Sequence, residues 1–360
     1  MRQLGKLGPI VSKVIARSTE TLLPPARVVA LRTAREWRRW ADGLTPELLA
    51  DTSGAAMAEK QALFRRNVRL VEIETHARCN RVCWFCPNSI VDRRRNRIAT
   101  DVEMLERVFT QLGEIDYSAQ IKVARYSEPL TNPHLPERIA QARRLVPNAQ
   151  LAVVTNTDYL NVEVLERLRD AGLNVLFMSI YLKDKETWSL EIAHEYKRRL
   201  AKKLGVKIAN EVETPVSLRC LYEYPGLTLR SACIDFSHYG TDRGGVLEYY
   251  TSADRIGPCR EPFETFVIDY TGAVMPCCNL RSDVPEQAGY SVADLSDPTV
   301  NIFDVYASQL AGWRRSMVGF DRKAAPCTTC RHRDVPPAIA GKLRGHLEKR
   351  LRALGIALPR

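Results

Sequence analysis

The stretch Leu70-Val71-Glu72-Ile73-Glu74-Thr75-His76-Ala77-Arg78-Cys79-Asn80-Arg81-Val82-Cys83-Trp84-Phe85-Cys86 decides how this chain folds. Its opening run Leu70-Val71-Glu72-Ile73-Glu74 is apolar and alternating, the pattern of a short strand. Three cysteines spaced C-x3-C-x2-C follow, on the loop that leaves the strand's C-terminal end. A zinc site needs a fourth ligand nearby and commonly pairs C-x2-C units, an order this loop does not follow. Three closely spaced thiolates suit three irons of a [4Fe–4S] cube, leaving the fourth iron open to a cofactor.

Outward from this loop, strands and helices alternate as far as about Tyr224. Apolar runs at Gln120–Ala124, Gln150–Thr155, Asn174–Tyr181 and Pro215–Tyr222 are separated by helical patterns at 100–112, 133–146, 161–171 and 184–204. Such alternation implies parallel strands with right-handed helical crossovers. Functional residues are then expected at the strands' C-terminal ends. Polar, motif-like residues do fall there: Arg125-Tyr126-Ser127-Glu128-Pro129-Leu130, Thr155-Asn156-Thr157 and Ser179-Ile180-Tyr181.

A second cysteine constellation lies beyond a Gly-, Asp- and Tyr-rich loop at 235–250. Cys259 precedes a strand-like Thr265–Asp269, the turn Tyr270-Thr271-Gly272, a second strand at Ala273–Met275, and Cys277-Cys278. Strand, glycine turn and strand read as a β-hairpin with cysteines at its base. A helical stretch near 302–316 and Cys327-Thr328-Thr329-Cys330 complete it. By themselves, four such cysteines suit a structural zinc site as well as an iron–sulfur cluster.

Together these motifs resemble the radical S-adenosylmethionine (SAM) enzymes. The resemblance implies an α/β fold: a partial (β/α)6 TIM-like barrel with an N-terminal helical extension and a small C-terminal β-hairpin/helix iron–sulfur module. It implies that Cys79, Cys83 and Cys86 hold a [4Fe–4S] cluster whose open iron chelates the methionine end of SAM. Phe85 is the aromatic residue usual before the third cysteine. Residues 125–130 are similar to the family's Gly-Gly-Glu-Pro motif, with Tyr126 and Ser127 in place of the glycines. Ser127, Glu128 and Pro129 would then hold the methionine amino group, and Thr155, Asn156 and Ser179 would line the ribose and substrate cavity. Arg219 would meet the SAM carboxylate or a substrate anion; a strand arginine equally pairs with a barrel glutamate. Residues from Cys259 on resemble the SPASM module in its shortened "twitch" form, with one auxiliary [4Fe–4S] cluster on Cys259, Cys277, Cys327 and Cys330. The matching features are C-x17-C from Cys259 to Cys277, Gly272 five residues before Cys277, and the terminal C-x2-C. The resemblance covers residues 70–335.

The organisation expected is a basic helical extension over 1–65, the core barrel over 66–255, the auxiliary module over 256–335 and a basic helix over 336–360. Net charge is +11, unevenly placed. Residues 1–70 carry +7 and residues 331–360 carry +6, leaving the middle near neutral at about −2. Basic ends read as solvated surface, or as contacts for acidic partners or anionic lipid. On Arg27–Ala41 a stripe of Leu31, Ala34, Trp37 and Ala41 makes an amphipathic helix. Peripheral membrane contact by this helix is the sharper reading, and docking against the enzyme the ordinary one. No run approaches 18 apolar residues, and Lys13 and Arg17 interrupt the N-terminal apolar run, a poor secretory signal. Ten cysteines with an open thiol cluster suit a reducing compartment, so a cytoplasmic location is expected.

The reaction expected is radical generation from SAM followed by two-electron oxidation of a substrate, with the auxiliary cluster accepting an electron. Two alternatives stand beside it. One is epimerisation, in which a cysteine thiol returns a hydrogen atom. The other is a non-catalytic metal protein that contacts nucleic acid through its basic ends; the neutral centre and SAM-pocket motifs speak against that, and no nucleic acid is expected. Cys220, Cys233 and Cys278 are the thiols left over for hydrogen donation or packing. Side chains of neighbours in an extended segment point to opposite faces. Cys277 and Cys278 should therefore not both hold one cluster with ease; the Gly272 spacing of the module it resembles selects Cys277 as the ligand, with Cys278 projecting from the other face. Partners expected are a small polar metabolite or peptide substrate and an external one-electron reductant of flavodoxin or ferredoxin type.

Overall fold

A computed structural model describes residues 25–183, 186–250 and 253–356; the part of the N-terminal extension before Pro25 lies outside them. Ten strands form one sheet: β1 (Leu70–Ile73), β2 (Gln120–Val123), β3 (Gln150–Thr155), β4 (Val175–Ile180), β5 (Lys207–Thr214), β6 (Ser217–Glu223), β7 (Thr228–Ile234), β8 (Thr265–Ile268), β9 (Ala273–Met275) and β10 (Ala293–Asp294). Their order is β10-β9-β8-β1-β2-β3-β4-β7-β6-β5. The run β8-β1-β2-β3-β4-β7 is parallel throughout, while β9, β10, β6 and β5 extend its two edges antiparallel. This is the open, partial barrel expected from the sequence.

The helices between the parallel strands begin where side chains satisfy their first amides. Asp101 caps Val102–Glu114, Asn161 caps Val162–Asp170 and Ser189 caps Leu190–Leu204, each accepting from the amide three residues on. The last of these ends at Gly205, whose φ of 63° a side chain would resist. These helices bury apolar faces on the sheet, for example Leu105, Val108, Phe109 and Leu112.

The strand read at Pro215–Tyr222 is antiparallel, not the fifth parallel strand. It is β6, the middle of a meander β5-β6-β7, and β7 takes the parallel place beside β4. The turns on either side are too short for a crossover, which needs a dozen or more residues.

The chain divides into two compact units, Glu47–Asp334 and Met1–Pro46 with Val335–Arg360. The expected boundary at 65/66 differs from this division because Met57–Asn67 belongs with the sheet. Its Phe64, wholly buried, meets the rings of Tyr117, Phe266, Phe303 and Tyr306 at 5.3–6.2 Å. Emptying such a site costs about 3–5 kcal/mol. The boundary at 255/256 cuts the sheet, since β8 pairs in parallel register with β1.

In the other unit, α1 (Pro25–Asp42) packs with α2 (Pro337–Ala353), so the extension is partnered by the C-terminal helix. His346 Nε2 lies 2.7 Å from Asp42 Oδ1, and Arg350 donates to the Leu44 carbonyl. Leu343, Leu347 and Leu351 are buried at helical spacing, as are Trp37 and Ala41 of the predicted stripe. Burial of Trp37 removes the aromatic anchor that a lipid-facing helix would present. No described helix is long and apolar enough to cross a membrane.

Candidate active site and two cysteine constellations

The loop Cys79–Cys86 leaves the C-terminal end of β1, and its ends are tied to the neighbouring strand ends. The Glu128 amide donates to the Arg78 carbonyl at 2.9 Å. Asn156 Nδ2 donates to Asn80 Oδ1, and Asn80 Nδ2 donates to Asp158. Arg81 closes a two-pronged pair on the same Asp158 at 2.5 and 2.7 Å.

Glu128, Thr155 and Asn156, read separately from the sequence, form one hydrogen-bonded unit. The Glu128 carboxylate accepts from Thr155 Oγ1 (2.7 Å), the Asn156 amide (2.6 Å) and the Leu130 amide (3.0 Å). Burial outweighs these donors and pushes the carboxyl up to about 7. Pro129 starts the short 3-10 turn that follows.

A cavity of about 210 Å³ opens beneath the loop. It is lined by Cys79, Cys83 and Cys86, by Phe85, Ser127, Glu128, Thr155 and Asn156, and on its far side by Glu72, Lys122, Arg243 and Cys278. Ser127 Oγ is buried without a hydrogen-bond partner there. A second cavity of about 720 Å³ lies outside it, against Trp84, Trp188 and Tyr249. Phe85 and Phe236 line both cavities, stacked face to face with centroids 3.6 Å apart, so this pair is the partition between them.

Ser179, half-buried at the end of β4, engages the Tyr181 hydroxyl, and Tyr181 reaches the inner cavity. Arg219 does not. It alternates with buried Leu218, Cys220 and Tyr222 along β6, and the pleat turns it to solvent. The expected SAM or anion contact for Arg219 is thereby corrected.

Two non-glycine residues near the motif departures hold left-handed backbone, Arg125 (φ 106°) and Thr157 (φ 70°). Such conformations cost on the order of 1–3 kcal/mol and persist where the surroundings dictate them. Tyr126, standing where the family has glycine, spans the site. Its hydroxyl donates to the Cys278 carbonyl at 2.8 Å, and its ring meets the guanidiniums of Arg93, Arg125, Arg243 and Arg281 at 5.1–6.0 Å.

Several residues of this region carried no motif. Glu74 Oε1 accepts from Arg93 (2.7 Å) and from the amides of Tyr126 and Ser127. Arg93 then holds Asp283 with two nitrogens, and Arg281 holds the same carboxylate with two more at 2.7 Å while reaching Asn88 Oδ1 at 2.8 Å. Burial alone would raise Asp283, but the two arginines hold it well below the usual carboxylate range. This buried bridge joins the first cysteine loop to the segment after Cys278. The sequence signal was the alternation of Glu72 and Glu74, two acids at the end of β1 and just beyond it, both buried.

The second constellation gathers around Arg255, which is 2% exposed. Its guanidinium donates to the carbonyls of Gly257, Pro258, Cys330 and His332. Amide and side-chain donors point at sulfur: Asn279 N to Cys277 Sγ (3.4 Å), His332 N to Cys330 Sγ (3.4 Å) and Asn279 Nδ2 to Cys330 Sγ (3.8 Å). Gly272, at φ 98°, makes the hairpin turn, where a Cβ would stand 2.9 Å from Met104 Sδ.

Cys277 and Cys278 do not diverge. They sit in a bend after β9, and both thiols lie within 4.8 Å of each other and of a Glu261 oxygen. The opposite-faces argument required an extended segment, which ends at Met275. Cys278 Sγ is 3.7 Å from His332 Nε2, which also meets Glu261 at 3.1 Å. Cys220 and Cys233 are buried on the meander strands β6 and β7.

The donor chemistry of the first loop fits a cationic cluster. Burial raises the Cys79 thiol to about 11, and the Cys86 thiol is raised by the same cause. Thiolates at such sites form when a metal supplies the compensating charge. The Arg81 amide lies 3.5 Å from Cys79 Sγ, ready to donate to it. Burial likewise pushes Cys259 and Cys327 up to about 12.

Residues 73–207 match the family model described as Radical SAM superfamily. A curated relative is the S-adenosyl-L-methionine-dependent 2-deoxy-scyllo-inosamine dehydrogenase of Niallia circulans, 25% identical over 209 residues, which are 58% of this chain and 72% of the relative. Among solved structures, BtrN in complex with AdoMet and 2-DOIA superposes with a TM-score of 0.51 at 19% identity, covering 69% of this chain and 87% of that one. The superposition establishes the likeness of fold.

Proposed function

We propose, from the match of residues 73–207 to the radical SAM family model, that the chain is a radical SAM enzyme that oxidises a small hydroxylated molecule by two electrons. Cys79, Cys83 and Cys86 would hold a [4Fe–4S] cluster that, with SAM, would supply radical hydrogen abstraction from carbon, and Cys259, Cys277, Cys327 and Cys330 would hold an auxiliary [4Fe–4S] cluster that would supply a sink for the second electron. The observation that carries this reading is that Cys278, the residue after Cys277 of the second cysteine constellation, lines the cavity beneath the first loop. Tyr126 and Cys278 stand between the two sets. The name of the dehydrogenase relative supports the same direction.

The chain's own residues position and enclose. Ser127, with its unpartnered hydroxyl, and the Glu128–Thr155–Asn156 unit form the SAM side of the cavity. Phe85 and Phe236 close it from the outer cavity and exclude water from the reacting groups. The exposed Trp84 beside the first loop belongs to the face that an external flavodoxin- or ferredoxin-type donor would approach.

Epimerisation is the second reading, favoured by one observation: the Cys278 thiol lines the cavity with His332 behind it. The deciding experiment incubates anaerobic, reduced enzyme with SAM and 2-deoxy-scyllo-inosamine in D2O. Oxidation gives one ketone per 5′-deoxyadenosine, and Cys278→Ala retains it. Solvent deuterium on carbon without a change of oxidation level, lost in Cys278→Ala, makes the enzyme an epimerase instead.

A further inference from the structure

Glu72 on β1 and Lys122 on β2 stand in register, one opposite the other. Their side chains, 6% and 21% exposed, meet at 3.3 Å, and both line the inner cavity on the side facing Cys278. In-register side chains on adjacent strands share a face of the sheet. On the flanking strands that layer continues with Val267 of β8 and Ala152 of β3. The interior layers of a barrel are ordinarily filled by branched apolar residues, and an apolar pair commonly replaces a buried ion pair without loss of stability. A charged pair in an otherwise apolar layer, at the wall of the proposed reaction cavity, marks a functional position.

Of the other ions of the cavity, Arg81 is held by Asp158 with two nitrogens and Glu128 by three donors, while Arg125 donates to the Leu280 carbonyl and Arg243 to Asn279 Oδ1. Lys122 offers three N–H donors, and among the described residues its ion-pair partner is Glu72. Burial raises the Glu72 carboxyl above its usual range, with the Lys122 ammonium opposing. The carboxylate is therefore short of donors and the ammonium short of acceptors.

We propose that Glu72 and Lys122 anchor the substrate, the carboxylate accepting from one hydroxyl and the ammonium donating to its neighbour. This rests on reading the cavity as the place where substrate meets SAM, and it names the substrate as a compact polyol with vicinal hydroxyls. A hydroxyl both donates and accepts, so adjacent hydroxyls satisfy the two ions together. A hydrocarbon tail would leave the pair's remaining donors and acceptors unsatisfied.

The test is calorimetric titration of myo-inositol and of 2-deoxy-scyllo-inosamine into the anaerobic, SAM-loaded holoenzyme. Wild type is expected to bind at least one of them. E72Q and K122M should each weaken that binding tenfold or more, with iron content and SAM affinity unchanged within twofold. The double variant E72M/K122M should keep its iron and melting temperature and bind neither polyol. Unchanged polyol affinity in E72Q and K122M overturns the proposal. So does failure of wild type to bind either polyol, or collapse of the double variant, which makes the pair structural. Reductive SAM cleavage by wild type without polyol is measured in parallel. If it proceeds while the polyol results fail, the anchoring pair is wrong and the radical SAM reading stands. If it is absent, that reading fails by itself.

Discussion

At the first cysteine loop three thiols border a cavity, and the donors around them come from the loop itself and from the ends of β2 and β3. At the second, four thiols lie against Arg255, His332 and Asn279, with Arg255 tying together the carbonyls of the segments that carry them. Three thiols beside open space leave a ligand position for a small molecule. Four thiols within packed polypeptide leave none. Under the proposed function, the first site would bind and cleave and the second would store an electron. The Glu74–Arg93–Asp283–Arg281 bridge ties the segment after the first loop to the segment after Cys278.

The contrast is broken most strongly by removing one set at a time. Replacing Cys79, Cys83 and Cys86 by Ala is expected to end 5′-deoxyadenosine formation and leave about four irons per chain. Replacing Cys259, Cys277, Cys327 and Cys330 should also leave about four irons, retain SAM cleavage and abolish the oxidised product. Iron and zinc analysis with product quantification reads both. Zinc in the second set would turn it into a structural site and end the comparison.

A smaller effect tests the bridge. Asp283→Ala strands the buried Arg93 and Arg281 guanidiniums, and removing one partner of a buried pair costs about 3–5 kcal/mol. Urea unfolding of the holoenzyme should show that loss, and both cysteine sets should release iron faster. Loss from one set alone would show that the bridge does not couple them.

The smallest effect sharpens the first site. Glu128 in the folded chain keeps its proton up to about 7, against 4.5 in the unfolded chain. Its contribution to stability is therefore full below pH 4.5 and is lost as pH rises through 7, by roughly 3 kcal/mol. Unfolding midpoints between pH 5 and 8 should fall less steeply in Glu128→Gln. An unchanged slope places the titration elsewhere.

What the sequence determined by itself was local. The C-x3-C-x2-C spacing, the turn at Gly272 and the alternation of strand with helix each involve residues a few positions apart, where chain geometry fixes the outcome. Glu128, Thr155 and Asn156 were also legible, because strand ends in a parallel sheet converge on one side. What the tertiary structure alone decided was pairing over distance. Cys278 turned toward the cavity because the chain bends after Met275. Arg219 turned to solvent because β6 runs antiparallel, and period-two alternation looks the same in either direction. The joining of β8 to β1, the Glu72–Lys122 contact and the Arg93–Asp283 pair, 190 residues apart in the chain, depend on register and packing between segments. Local periodicity carries no record of which partner a face will meet, so those features appear only once the sheet is assembled.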